Sequence, residues 1–105
     1  MDDREKAFEN KYALDQELTF RIEARTAKLF GLWIAEKMGL SADEAKIFAG
    51  SVVSANLDEP GFEDAKRAVR PALAEKGIDI SDHVLDVQLA HFEEEARNQI
   101  MGEAK

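Results

Sequence analysis

The sequence contains no cysteine, and this absence excludes disulfides, thiolate metal ligands and a cysteine nucleophile. A chain without cysteine suits a reducing compartment, so we expect a cytoplasmic protein. Long apolar runs are also missing: the longest, LFGLWIA at residues 29–35, falls far short of the ~20 residues of a membrane span. The opening residues MDDREK lack the apolar segment of a secretory signal. We therefore expect a soluble protein with no direct membrane insertion.

Basic residues are scarce, with 14 Lys and Arg against 22 Asp and Glu and a net charge of −8. Binding to a nucleic-acid backbone requires clustered Lys and Arg, so we expect no nucleic-acid partner. The charge is uneven along the chain, with a net of −1 over residues 1–28 and −7 over residues 29–105. The acidity of the second part also has an ordinary explanation, because net charge keeps a small protein in solution.

Proline is rare, with two residues among 105, and no stretch alternates between apolar and polar residues as a strand does. Apolar residues instead recur at helical spacing in four segments, and the short connections between them suit antiparallel neighbours. We predict an all-α, four-helix bundle-like fold in a single domain of residues 1–105. The helices are predicted at about residues 3–38, 42–56, 62–76 and 82–101.

Turn and cap residues mark the ends of these segments. Gly39 and Gly77 follow the first and third, where a left-handed backbone conformation favours glycine. SADE at residues 41–44 has the spacing of a capping box at the start of the second. Pro60–Gly61 fits a type II turn. Pro71 lies inside the third segment and removes a backbone hydrogen bond, so we expect a kink or a break there.

The first predicted helix has two unlike halves. Residues 29–34, LFGLWI, are apolar all round, which is typical of a helix buried on several sides, and Trp33 is expected to form a large share of the core. Gly31 would let another helix approach closely. Before this half the apolar stripe is sparse. It consists of Leu14, Leu18, Ile22 and Leu29, preceded by Phe8 and Tyr12.

The length of this helix is unusual for so small a protein. Some 35 helical residues extend ~52 Å, whereas the remaining body should be only ~30 Å across. Either the chain bends near residues 16–20 and folds the first piece back, or this piece protrudes. An isolated helix of ~15 residues is marginal in water. In both cases we predict that residues 1–18 are the least stable part and the first half of the helix is mobile or folded back, open to a partner that orders it.

Catalytic and metal-binding patterns are missing. His83 and His91 lie eight residues apart, and a di-iron helix carries a Glu three residues before each His, where this chain has Ile80 and Gln88. We expect no metal site, and we expect His91 to be half-buried on a helix face. The stretch AGSVVSA lacks the strand-to-helix context of a serine nucleophile. We therefore expect no catalytic residue and no enzyme activity.

Four stretches of the chain resemble the zeta subunit family of α-proteobacterial F-type ATP synthases, which are ATPase inhibitors. They are DDRE at residues 2–5, AFENKYALDQEL at 7–18, FRIEAR at 20–25 and GLWIAEKMG at 31–39. The resemblance extends over the whole chain, but the first forty residues carry its specific part. It implies a four-helix protein whose N-terminal segment becomes an extended helix on binding.

The resemblance further implies the partner and the mechanism. The N-terminal segment, residues 1–19, inserts into a catalytic α/β interface of the soluble head, against the γ subunit, while residues 20–105 form the helical body. Hydrolytic rotation is blocked, and synthesis is much less affected. The candidate contact residues in this sequence are Asp2, Asp3, Arg4, Glu5, Lys6, Phe8, Glu9, Lys11, Tyr12, Leu14 and Leu18.

The same resemblance implies a monomer when free, peripheral to the inner membrane when bound to the synthase. We expect no cofactor, although the resemblance associates weak adenine-nucleotide binding with the family. Two other functions stay open at this point. One is a helical module that binds the synthase or another complex without inhibiting it. The other is a small-molecule enzyme, which the missing catalytic constellation disfavours.

Overall fold

The computed structural model describes residues 2–57 and 59–103, and it describes side chains from Gln16 onward. Within those residues the chain forms four α-helices and no strand, which confirms the predicted all-α, four-helix fold. None of these helices combines the length and the hydropathy that a bilayer span requires. The helices are α1 Asp2–Lys37, α2 Ala42–Ala55, α3 Glu63–Glu75 and α4 Asp82–Glu103.

The predicted caps are found at three helix ends. Gly39 and Gly77 have φ angles of 74° and 69°, in the left-handed region that terminates a helix at low steric cost. At the start of α2 the backbone N–H of Glu44 donates to the Ser41 hydroxyl over 3.2 Å, and the Ser41 N–H donates back to the Glu44 carboxylate. This is the predicted capping box, and it fixes where α2 begins.

The structure differs from the sequence prediction inside α3 and at the end of α4. We expected a kink or a break at Pro71, and α3 runs through this residue without a break. The carbonyl that loses its partner belongs to Arg67, which is exposed like Pro71 itself, so water can satisfy it. Val69 and Leu73 on either side are buried, and their packing holds the helix together. α4 likewise continues through Gly102 to Glu103 instead of stopping before the glycine.

The core lies around the second half of α1, which contacts all three other helices. Trp33 packs against this core without being enclosed by it, so its share is smaller than predicted. Its ring lies 6.3 Å from that of Phe30 and 6.2 Å from that of Phe92, and the Lys37 ammonium sits 5.6 Å above it. The side chains with no exposed surface include Phe30, Ile34, Val52, Val69 and Leu85.

Helices α1 and α2 approach each other closely at Gly31. A Cβ placed there would lie 2.8 Å from the Cα of Ala49 and 3.4 Å from the Cβ of Val52. Both of these atoms belong to α2, and the nearer one is backbone, so it cannot swing aside. The predicted role of Gly31 is therefore confirmed: it lets α1 and α2 meet with only a hydrogen atom between them.

A buried lysine ties α3 to the start of α4. The Lys66 ammonium lies 2.8 Å from Asp86, 3.2 Å from Asp82 and 3.2 Å from Glu63. Asp86 and then the other two carboxylates raise the pKa of Lys66 above its usual range, against the lowering effect of burial. The pKa of Asp82 is held below its usual value first by Arg70, which donates to it over 2.7 Å, and then by Lys66.

The molecule is elongated because α1 is long. The 36 residues of α1 rise about 54 Å, and they account for most of the longest dimension, 61 Å, against 23 and 21 Å for the other two. The radius of gyration, 16.3 Å, exceeds the ~13 Å of a compact domain of this length. α1 continues without interruption through residues 16–20, where the sequence left a bend open.

Candidate functional site: the base of the long helix

Most of the predicted contact residues fall where the structure describes no side chains. Leu18 is the exception, and it is partly exposed on α1. The side chains of the other ten lie outside the part of the chain for which the structure describes side chains. These are Asp2, Asp3, Arg4, Glu5, Lys6, Phe8, Glu9, Lys11, Tyr12 and Leu14.

Burial along α1 rises in steps from Gln16 to Ala27. Residues 16–21 are exposed apart from Leu18, residues 22–25 are partly buried, and Thr26 and Ala27 have no exposed surface. The buried Thr26 hydroxyl is satisfied within its own helix, because it donates to the Ile22 carbonyl over 2.6 Å. The bundle therefore begins to enclose α1 at about residues 22–26. We call residues 16–26, over which burial rises, the base of α1.

A polar clamp joins the base of α1 to the end of α4. The Arg25 guanidinium donates to the Gln99 side-chain oxygen over 2.7 Å and to the Glu103 carboxylate over 3.1 Å. Arg21, one helical turn earlier, lies 3.8 Å from the same carboxylate. Glu103 thus forms ion pairs with two arginines that lie one helical turn apart on the same side of α1. This clamp links α1 to α4 at the point where α1 leaves the bundle.

An open groove lies beside the base of α1, on the side away from the clamp. Its volume is about 410 Å³. Phe20, Glu23 and Ala24 form part of one wall, and Leu57 and Glu59 from the connection after α2 form part of the other. Phe20 and Leu57 remain 55% and 49% exposed, so each wall of the groove presents apolar surface to solvent. We call this feature the shoulder groove.

Sequence reasoning missed both the clamp and the shoulder groove. Phe20 lies outside the apolar stripe of α1. An aromatic residue outside the buried stripe of a helix is a signal that could have indicated the shoulder groove. Arg21 and Arg25 repeat at i,i+4, which also indicates a shared facing surface. Their partner could not be predicted, because Gln99 is 74 residues away from Arg25 and only the fold brings them together.

The histidines lie away from this surface. The side chain of His91 is 65% exposed, which corrects our expectation that it is half-buried. It lies on the outer side of α4, where its nearest carboxylate, Glu95, is 3.8 Å away and its ring meets the edge of Phe92. His83 is exposed as well. Among the side chains that the structure describes, no three His, Cys, Asp or Glu residues form a group suited to a metal ion.

The fold and this surface define a class of small helical proteins in which one helix extends well beyond a four-helix body. The family model of ATPase inhibitor subunit zeta matches residues 1–99, so the chain belongs to that family. Membership in a family of inhibitor subunits supports a regulatory, non-catalytic role. A comparison with curated proteins finds no match.

Proposed function

We propose that the chain inhibits ATP hydrolysis by the F-type ATP synthase through its N-terminal segment. Residues 1–19 insert as a helix into a catalytic α/β interface of the soluble head, against the γ subunit, and block rotation in the hydrolytic direction. The observation that carries the proposal is the family match over residues 1–99. A family of ATPase inhibitor subunits implies association with the ATP synthase.

The continuity of α1 supports insertion as a helix. Starting a helix is unfavourable, because several residues must be ordered for the first hydrogen bond, whereas each later residue adds one bond. The second half of α1 is held in the core by Phe30 and Ile34, so it supplies a formed helix end. Residues 2–18 continue the same helix, so a partner that surrounds them needs only to stabilise turns that already adjoin it. Ordering this segment on binding is therefore less unfavourable than ordering a separate peptide.

The candidate residues divide into apolar anchors and charged rim residues. Buried aromatic and aliphatic anchors contribute most of the affinity of such interfaces, whereas exposed charges mainly affect association and orientation. The proposed anchors are Phe8, Tyr12, Leu14 and Leu18. The proposed rim residues are Asp2, Asp3, Arg4, Glu5, Lys6, Glu9 and Lys11.

The helical body supports the proposal by its width. Its cross-section is 23 by 21 Å, about twice the ~10–12 Å diameter of a single helix with its side chains. A cleft that admits one helix therefore does not admit the body. Insertion would stop where α1 enters the bundle, and the clamp at Arg25 joins α1 to α4 at that point.

Titration of ATP hydrolysis by the soluble head of the matching synthase tests this function. The chain should slow hydrolysis, and Phe8→Ala combined with Tyr12→Ala should remove most of the effect. A matched control is Ile47→Ala combined with Val87→Ala, which removes two exposed apolar side chains from the body. Trp33 fluorescence monitors unfolding, and both double variants should unfold at the same denaturant concentration as the wild type.

A second function, binding to the synthase without inhibition, gives a different result in the same titration. The chain would then co-purify with the head, leave the rate of hydrolysis unchanged, and bind equally well after Phe8→Ala and Tyr12→Ala. Unchanged hydrolysis at a large excess of the chain therefore rules out the proposed inhibitor.

A further inference from the structure

The shoulder groove has the composition of a docking site for a basic partner. Phe20 and Leu57 present apolar surface, and each keeps about half of its area in solvent. Glu23 and Glu59 stand at its edge, and none of its described lining residues is a Lys or an Arg. Apolar surface bordered by one sign of charge favours a partner that carries apolar side chains next to the opposite charge.

The clamp keeps positive charge away from the groove. Successive residues on a helix are turned by ~100°, which places Arg21 and Arg25 on the far side of α1 from the groove wall. Both arginines point to Glu103 at the end of α4, at 3.8 and 3.1 Å. The basic residues of the base of α1 are thus paired on one side, and the groove side remains acidic.

Two other occupants fit the groove poorly. A second copy of the chain would bring another acidic edge and another net charge of −8 against the first. The N-terminal part of the chain itself continues along the axis of α1, because α1 is one helix from Asp2 to Lys37 and does not turn back across the groove. The charge balance therefore favours a different protein with Lys or Arg beside an apolar face.

We propose that the shoulder groove binds an amphipathic, Lys- or Arg-bearing helix of the catalytic head, at the mouth of the interface that residues 1–19 enter. This inference rests on the proposed function, because the groove borders the end of the inserting segment: Gln16 and Thr19, which belong to that segment, are among its lining residues. Apolar side chains of the partner helix fill the space between Phe20 and Leu57, and its basic residues pair with Glu23 and Glu59. The groove thus adds a second contact, which seats the body once the segment is inserted.

Binding of the full-length chain to the soluble head, measured with a fluorescent label, tests this site. Phe20→Gln and Leu57→Gln should each weaken binding about tenfold or more, since both remove an apolar anchor from the centre of the contact. Ile47→Gln is the matched control, because Ile47 is 75% exposed on α2 but does not line the groove, and it should bind as the wild type does. Trp33 fluorescence in urea checks that all three variants keep the wild-type fold.

A charge reversal provides a second, independent variant. Glu23→Lys and Glu59→Lys leave the apolar side chains of Phe20 and Leu57 in place. Each should weaken binding and reduce the dependence of binding on salt concentration. Wild-type affinity in both the Gln and the Lys variants would overturn the proposal. A wild-type chain that dimerises at micromolar concentration, and loses this ability with Phe20→Gln, would assign the groove to a second copy and also overturn it.

The results separate this site from the proposed inhibitory function. If Phe8→Ala and Tyr12→Ala abolish inhibition but the groove variants bind normally, the function stands and the groove proposal fails. If the groove variants lose binding but the wild-type chain never slows hydrolysis, the groove stands and the inhibitory function fails. Absence of any binding between the wild-type chain and the head would overturn both.

Discussion

Arg25 in α1 donates a hydrogen bond of 2.7 Å to Gln99 in α4, across 74 residues of sequence. Together with the ion pair from Arg25 to Glu103, this contact joins the point where α1 leaves the bundle to the end of the last helix. The next two residues, Thr26 and Ala27, are fully buried, and most of the described residues before Ile22 are exposed. The contact thus marks the boundary between the body and the segment that we propose to insert.

Loss of this contact should loosen the base of α1 more than the body. Arg25→Ala removes a partly buried charged hydrogen bond and an ion pair, so the free energy of unfolding should fall by about 1 kcal/mol. Amide exchange at residues 18–24 should speed up, while exchange at residues 29–35 changes little. Arg67→Ala is the control, because Arg67 is exposed and its ion pair with Asp64 lies within α3. Equal effects of the two substitutions would contradict the role of Arg25.

Gly31 should not tolerate a side chain, although alanine favours helices. Gly31→Ala places a methyl group 2.8 Å from the Ala49 backbone, and such overpacking costs about 1–3 kcal/mol. The gain in helix propensity offsets about 1 kcal/mol of this. We therefore expect a net loss of about 1 kcal/mol in a urea titration.

Gly50→Ala is the matched control for this effect. Gly50 is a helical glycine of α2 with no atom within 4 Å of an added Cβ. The substitution should raise the free energy of unfolding by about 0.5–1 kcal/mol through helix propensity alone. Stabilisation by both substitutions would show that α1 and α2 are not in close contact at Gly31.

Lys66 should contribute more to stability than an exposed lysine does. Lys66→Met leaves Glu63, Asp82 and Asp86 near one another without their shared cation, so their repulsion acts between α3 and the start of α4. The melting temperature should fall clearly below that of Lys76→Met, in which an exposed lysine at the end of α3 is replaced. Similar melting temperatures would mean that the cluster does not hold the two helices together.

Asp82 should make the protein sensitive to acid. Its pKa in the folded state lies below the ordinary value of 3.8, so its contribution to stability is fully present above that value and is lost as the pH falls through the lowered pKa. Asp82→Asn should therefore be less stable than the wild type at pH 7, and its stability should decline less steeply below pH 4. Unfolding midpoints between pH 7 and pH 2 measure this difference. Parallel pH profiles would contradict the ion pairs with Arg70 and Lys66.

Local signals predicted the fold well. Helix caps depend on residues within one or two helical turns, so they could be predicted directly from the sequence at Gly39, at Gly77 and at the Ser41–Glu44 capping box. The role of Gly31 was predictable for the same reason, since a glycine in an apolar run indicates close approach. The absence of a break at Pro71 was not predictable, because the burial of Val69 and Leu73, a tertiary effect, outweighs the missing backbone bond.

The candidate site was only partly predictable. The sparse stripe around Leu18 indicated a helix half with little to pack against, and the burial of α1 begins just after it. The clamp and the shoulder groove were not predictable, because each joins α1 to residues more than thirty positions away, in α4 or after α2. Such contacts depend on how the helices are arranged, which no short stretch of sequence specifies.

Amide hydrogen exchange of the full-length chain, free and bound to the soluble head, tests the central proposal most directly. We predict slow exchange at residues 29–35 in both states, and fast exchange at residues 2–18 that becomes slow when the head is added. Residues 2–18 that exchange at the same rate with and without the head, under conditions where the chain is bound, would show that this segment is not the part that inserts.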